Sequence, residues 1–202
     1  MPLAWLGIEV RRRVNISMIR LAIHFILVLS ITLLTYYDYL PHQLAFLEIP
    51  LIIASALALV LLSGVRSIPL VIVLVLSTRL MVFILLYEIN WQPFVVSFLP
   101  YLLEIILVSL LIPRSIKVFE VDRMVIWTFI LALCVDTLVF FPIYAYDVIY
   151  FLVEIVPNRS IRYLTTALLV PPLAYVYFTV PRLLNLINNT KSNSINRRRE
   201  PT

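Results

Sequence analysis

Glycine is almost absent from this chain, which has only Gly7 and Gly64 among its 202 residues. Phosphate-binding loops and dinucleotide-binding loops each need several closely spaced glycines, so the sequence excludes both kinds of nucleotide site. Cysteine is limited to Cys134, which excludes a disulfide framework and a thiolate metal site. We therefore expect neither a metal nor a cofactor.

Histidine is equally scarce, with only His24 and His42. The two lie at different depths of the predicted helices, so we do not expect them to hold a haem together. Five hydroxyl side chains of the apolar segments have no histidine predicted at a similar depth, and a hydrolytic triad is therefore not expected. These are Ser77, Thr78, Thr137, Thr165 and Thr166. The sequence predicts a protein that is not an enzyme.

Charge is the third scarcity, because only 13% of the residues are charged while 62% are hydrophobic and the mean hydropathy is +1.02. A soluble domain is about 25% charged and about 45–50% apolar. The composition predicts an integral membrane protein. The apolar run 21–35 follows a basic start without a small-residue cleavage site, so we interpret it as part of a first span rather than as a signal peptide.

Hydropathy predicts an all-α bundle of six transmembrane helices, since each apolar segment approaches the ~20 residues that a crossing needs. Residues 1–184 form a single transmembrane domain in this interpretation. The predicted spans are 18–37, 46–63, 69–87, 93–112, 124–145 and 163–184.

Several shorter features complete the prediction. Ala54 and Ala58 lie one turn apart in the second span, where small side chains allow a neighbouring helix to approach closely, and a tight turn follows at 63–67.

Residues 147–157 are too short to cross and are predicted to lie at the membrane interface. Pro171 and Pro172 should interrupt the last span, and 185–202 should be a disordered, basic cytoplasmic tail.

Lysine and arginine set the orientation, because they concentrate on the cytoplasmic side of membrane proteins. With the N-terminus inside, Arg159 and Arg162 alone fall in outer loops and Arg79 falls within a span. All the other basic residues flank the inner side or lie in the tail: Arg11, Arg12, Arg13, Arg20, Arg66, Arg114, Lys117, Arg123, Arg182, Lys191, Arg197, Arg198 and Arg199. We expect a multi-pass plasma-membrane protein with both termini cytoplasmic. The net charge of +5 is accounted for in this way without a nucleic-acid partner.

Three charged residues fall inside predicted spans: Arg79, Glu104 and Asp136. Each lies about 17–18 Å from the start of its helix at ~1.5 Å per residue, which places all three near the middle of a core ~30 Å thick. The third and fourth spans are joined by a short loop, so Arg79 and Glu104 are the expected pair. Asp136 either joins them or faces a separate cavity with Thr137, Thr165 and Thr166.

Two interpretations of these charges remain open. Charged side chains inside a membrane commonly mark solute or ion paths, which predicts a polar pocket with Asp136, Arg79, Glu104, Thr137 and Thr166 as binding residues. Polar contacts between helices can also be purely structural, which predicts a clamp without a ligand.

The segment from Trp127 to Leu184 resembles the C-terminal half of small six-helix transport proteins. The resemblance rests on residues 133–141, LCVDTLVFF, and on residues 166–175, TALLVPPLAY. It is similar to the queuosine-precursor and vitamin transporter-like families and to the substrate-binding S components of energy-coupling-factor transporters. The fifth span also resembles that of the rod-shape-determining MreD family. Residues 57–104 resemble the phosphate-starvation-inducible PsiE family through Ser63-Gly64, Pro69 and Arg79.

These resemblances imply a membrane transport component that binds a small polar or heteroaromatic solute from the outer side. Arg79 would offer its guanidinium fork to an acidic group, and Asp136 would accept hydrogen bonds from ring or amine N–H groups. The expected partners are the lipid bilayer, the solute and another membrane protein, either an energising module or a larger complex. The alternative is a non-catalytic scaffold or accessory subunit of the MreD or PsiE kind, in which the charges only fix helix packing.

Overall fold

The computed structural model describes residues 2–36, 47–86, 91–144 and 148–197, and every regular element in these ranges is a helix. The predicted all-α class is therefore confirmed for the described residues. The long helices are α1 (Pro2–Tyr36), α2 (Glu48–Ser63), α3 (Ile68–Leu86), α4 (Trp91–Leu111), α5 (Val121–Tyr144) and α6 (Val156–Arg197). Three short elements join them: a 3₁₀ turn at Val65–Ser67, an α-helical turn at Val148–Tyr150 and a π-helical segment at Phe151–Ile155.

Two described stretches, Ile16–Leu34 and Val156–Ile187, are long and apolar enough to cross a membrane by length and composition. Three others are apolar but shorter, namely Glu48–Ser63, Val65–Thr78 and Tyr101–Leu111. Six long helices thus match the six predicted segments in number and order. That all six cross a membrane stays a prediction.

Helix α2 lies at the centre of the fold. Every residue from Ile52 to Val60 is buried, and α2 packs against α1, α3, α4 and α6. A helix that is apolar on all sides must be surrounded by apolar groups, either from neighbouring helices or from lipid. Ala54 and Ala58 are completely buried, which agrees with the predicted close approach of neighbouring helices through small side chains.

Gly64 ends α2 with a backbone φ of 81°, a value that favours glycine because the residue has no Cβ. Its N–H donates to the carbonyl of Val60 at 2.7 Å, and its own carbonyl accepts from the N–H of Ser67 at 3.0 Å. The chain reverses within the Val65–Ser67 turn and enters α3, as the tight turn predicted at 63–67 requires.

Helix α6 differs from the prediction at its start, in its middle and at its end. It begins at Val156, whereas the predicted span begins at residue 163. Pro171 and Pro172 lie inside the helix without ending it, because packing on α2 and α5 holds the backbone helical despite the missing N–H donors. The helix also continues to Arg197, whereas we predicted a disordered tail from residue 185; no proline or glycine between 182 and 197 is present to end it. The predicted interfacial segment 147–157 is helical where described and leads directly into α6.

Candidate functional site

Helix α5 packs against both α4 and α6, and these three helices bring together six polar side chains, which we call the acid–arginine cluster. Its members are Tyr101 and Glu104 on α4, Asp136 on α5, and Arg159, Arg162 and Tyr163 on α6. The i, i+3 and i, i+4 spacing on α4 and α6 places the members of each helix on one face. The three helices therefore present their polar faces to a shared interior.

A buried ion pair joins α5 to α6. Nη1 of Arg159 donates to Oδ1 of Asp136 at 2.6 Å, and the two side chains are 17% and 3% exposed, respectively. Removing one partner of such a pair strands the other charge in a poorly solvated place. Asp136 was expected to join Arg79 and Glu104 or to face a separate cavity; its observed partner, Arg159, was assigned to an outer loop. This assignment of Arg159 was wrong because the residue lies in the first turn of α6, which folds back over α5.

A second contact joins α4 to α6. Arg162 donates a hydrogen bond from Nη1 to the hydroxyl of Tyr101. The Arg162 guanidinium carbon also lies 5.3 Å from the centroid of the Tyr101 ring, within the range of a cation–π contact. Tyr101 thus holds the Arg162 guanidinium group in place, so the remaining N–H donors of Arg162 have a fixed position.

Glu104 is the unsatisfied member of the cluster. Its side chain is 1% exposed, and neither Oε1 nor Oε2 meets a hydrogen-bond donor in the described structure. The charges of Asp136, Arg162 and Arg159 and the hydroxyl of Tyr163 all act on this carboxyl group. A buried polar group without a partner costs about 1–3 kcal/mol, and a charged group costs more. The fold therefore keeps an unfavourable group at this position.

Tyr163 is the second unsatisfied member. Its side chain is completely buried, and its hydroxyl lies close enough to the carboxyl groups of Glu104 and Asp136 to interact with both, although it meets strict hydrogen-bond geometry with neither. The Tyr163 hydroxyl and the Glu104 carboxyl group therefore face the same interior. Together they offer one donor and several acceptors.

The predicted threonines offer a ligand fewer hydrogen-bond donors than expected. Thr137 donates to the carbonyl of Leu133 at 2.7 Å, and Thr166 donates to the carbonyl of Arg162 at 3.0 Å. Each hydroxyl hydrogen is thus used within its own helix, as is common for threonine in helices. Only acceptor capacity remains for a ligand.

The predicted Arg79–Glu104 pair lies outside what the structure describes. The backbone of Arg79 is helical within α3, but its side chain is not among the described ones. This pair stays a prediction.

The cluster lies in the half of α5 that is nearer to the start of α6. Asp136 lies eight residues before Tyr144, about 12 Å from the end of α5 at ~1.5 Å per residue. A cavity of about 320 Å³ lined by residues 119–123 lies at the opposite end of α5. The cluster is therefore near the end of the bundle at which α6 begins.

A second buried polar group involves α1, α2 and α6. Nδ1 of His24 lies 2.6 Å from Oγ of Ser55, and this oxygen lies 2.5 Å from the hydroxyl of Tyr177. All three residues are completely buried, and Nε2 of His24 has no partner in the described structure. Ser55 is not among the five hydroxyl residues for which no neighbouring histidine was expected, so its contact with His24 was not predicted.

The arrangement of His24, Ser55 and Tyr177, which we call the His24 group, lacks the features of a catalytic site. A serine is activated by a histidine that an acid orients, but no acid is described on Nε2, and the group is closed to solvent. The described residues also include no set of three His, Cys, Asp or Glu side chains placed to hold a metal ion. We assign the group to packing between helices.

Comparison with known protein families, with curated proteins and with solved structures finds no match to this chain. The family resemblances inferred from residues 57–104 and from the segment 127–184 therefore stay predictions.

Proposed function

We propose that the chain is a membrane-embedded transport component that binds a small polar or heteroaromatic solute in the acid–arginine cluster. In this proposal six helices cross the membrane, both termini are cytoplasmic, and the cluster lies towards the outer side. The solute would enter where α6 begins and contact groups on α4, α5 and α6.

Exposed apolar surface supports placement in a membrane. Monomeric soluble proteins rarely expose contiguous apolar patches larger than a few hundred square ångströms, whereas large apolar side chains are exposed along most of the helices here. Examples by helix are Met18, Ile26 and Leu34 on α1; Leu70, Val73 and Ile84 on α3; Leu103, Leu107 and Leu110 on α4; Ile126, Ile130 and Leu138 on α5; and Leu164, Leu168 and Val176 on α6. Lipid would cover these faces.

The observation that carries the solute site is the unsatisfied Glu104 carboxyl group beside the Asp136–Arg159 pair. A solute with N–H groups would donate to Glu104 and accept from the hydroxyl of Tyr163. Polar groups that stay unpaired in the free protein gain most when a ligand pairs them. The role first assigned to Asp136 changes in this proposal, because Asp136 now positions Arg159 instead of contacting the solute first.

The arginines would select solutes that also carry an acidic or carbonyl group. Arg162 is held by Tyr101, so its free N–H groups form a preorganised fork. A vitamin-like or nucleobase-like molecule with both N–H donors and carbonyl or acidic acceptors meets these requirements.

The test is a thermal-shift screen of the detergent-purified full chain against vitamins, nucleobases and simple anions. A ligand at 100 times its Kd should add about 2.7 kcal/mol of apparent stability. We expect Glu104→Gln to abolish the shift and Glu154→Gln, the same substitution at an exposed acid, to keep it. A ligand shift unchanged by Glu104→Gln would contradict this site.

The alternative is a scaffold or accessory subunit, and two contacts favour it. The Asp136–Arg159 pair joins α6 to α5, and the Arg162–Tyr101 contact joins it to α4, as a structural clamp requires. For this function we expect no ligand shift from any compound and a loss of stability in Asp136→Asn.

A further inference from the structure

Arg20 links three helices at the end of the bundle where Arg66 follows α2 and Arg182 lies in α6. Its Nε donates to the carbonyl of Tyr177 at 3.0 Å and its Nη1 donates to the carbonyl of Leu62 at 3.2 Å. These bonds place the end of α2 next to the part of α6 that follows Tyr177. Ser63 and Arg66 follow Leu62, while Arg182 and Asn185 lie in the next two turns of α6.

Basic residues outnumber acidic ones at this end, which also carries Glu120 and Asp122. Arg182 is the one charged side chain among the described residues that acts on Arg20, and it repels it. The Arg182 guanidinium lies 3.6 Å from the centroid of the Phe178 ring, which in turn meets Phe119 edge to face. The aromatic stack holds Arg182 in place without neutralising its charge.

Two uncharged donors at the same end have no partner. Oγ of Ser63 and Nδ2 of Asn185 are both buried atoms without a hydrogen bond in the described structure. We group them with the guanidinium groups of Arg20 and Arg182, and with Arg66 in the turn that follows Ser63, and call this set of donors the inner arginine site. A group that offers only acceptor oxygens and carries negative charge complements this set.

We propose that the inner arginine site binds the phosphate group of an anionic phospholipid. Arginine forks match phosphate oxygens in geometry, and clusters of basic residues at the cytoplasmic surface attract anionic lipids. Leu183, Leu184 and Ile187 are exposed next to the site on α6 and would contact the acyl chains. The proposal uses the membrane placement proposed above but is independent of any solute in the acid–arginine cluster.

The experiment titrates the detergent-purified full chain with phosphatidylglycerol and, separately, with phosphatidylcholine, and measures the melting temperature and the lipid retained in native mass spectrometry. We expect phosphatidylglycerol alone to raise the melting temperature. The double substitution Arg66→Gln and Arg182→Gln should weaken this effect at least about tenfold in lipid concentration. Arg20 is left intact because it also holds the helices together.

The matched control removes two charges of the same sign at Arg114 and Lys117, as Arg114→Gln and Lys117→Gln, and should keep the lipid effect. A third variant, Arg66→Lys with Arg182→Lys, keeps the charges and should retain most of it, which separates binding from damage to the fold. Equal loss in the control and in the Arg66 and Arg182 variant would overturn the site. An equal stabilisation by inorganic phosphate would overturn the lipid as its occupant, and stabilisation by phosphatidylcholine would overturn the proposal altogether.

Discussion

The side chain of Arg20 donates, at 3.0 Å, to the carbonyl oxygen of Tyr177, which is the carbonyl that Pro181 leaves without its helical donor. In an α-helix the N–H of residue 181 would bond to this oxygen, but proline has no N–H. A guanidinium group from α1 thus satisfies an acceptor that a proline in α6 has freed. The same guanidinium bonds to Leu62 near the end of α2, so one side chain stabilises three helices.

This relationship predicts coupling between Arg20 and Pro181. Arg20→Gln should lower the free energy of unfolding by about 1–3 kcal/mol, because it leaves two buried carbonyl groups unpaired. The loss should be smaller by about 0.5–1.5 kcal/mol in a Pro181→Ala background, where residue 181 supplies its own N–H. Denaturation of the four proteins of this cycle in detergent gives the coupling energy, and a value of zero would show that Arg20 does not serve this carbonyl.

The Asp136–Arg159 ion pair predicts that neither partner tolerates loss of the other. Asp136→Asn or Arg159→Gln alone should destabilise the protein by about 2–3 kcal/mol, since each leaves a poorly solvated charge. The double variant should cost less than the sum of the two single variants. The exposed pair of Arg123 and Glu120 provides the comparison, because exposed pairs contribute about 0–1 kcal/mol. Additive effects at Asp136 and Arg159 would argue against a direct pair.

Substitution of Glu104 should affect stability in the opposite direction from substitution of Asp136. Glu104→Gln replaces a buried carboxyl group whose oxygens meet no hydrogen bond of good geometry in the described structure, so we expect a melting temperature equal to or above that of the natural protein. Loss of stability in this variant would indicate that the carboxyl group has a structural partner, and the scaffold function would then be favoured.

The His24 group predicts a stability cost at Ser55. Ser55→Ala should destabilise by about 1–2 kcal/mol, because Ser55 bonds to both His24 and Tyr177 in a closed interior. Ser77→Ala is the matched control, since the Ser77 hydroxyl is exposed and bonds only to its own helix. Equal melting temperatures for the two variants would contradict the importance of these hydrogen bonds.

The six-span topology predicts which side of the membrane each loop faces. In a Cys134→Ala background, a single cysteine introduced as His42→Cys should react with an impermeant maleimide added outside intact cells. Cysteines introduced as Lys117→Cys or Lys191→Cys should react only after the cells are permeabilised. Labelling of all three positions from the same side would contradict the predicted crossings.

The sequence by itself determined the helical class and the number and order of the long helices, since long apolar segments separated by charged and proline-rich turns indicate how many helices form and in which order. It also indicated the turn at Gly64 and the burial of Ala54 and Ala58, because these depend on the backbone freedom and the size of single residues. The partner of Asp136 was not predictable, since it required knowing that α6 begins at Val156 and returns over α5. The contact between His24 and Ser55 likewise joins positions 31 residues apart on two helices. Contacts of this kind depend on how the helices are rotated about their axes and shifted along each other, and only the packing of the whole bundle around α2 decides that.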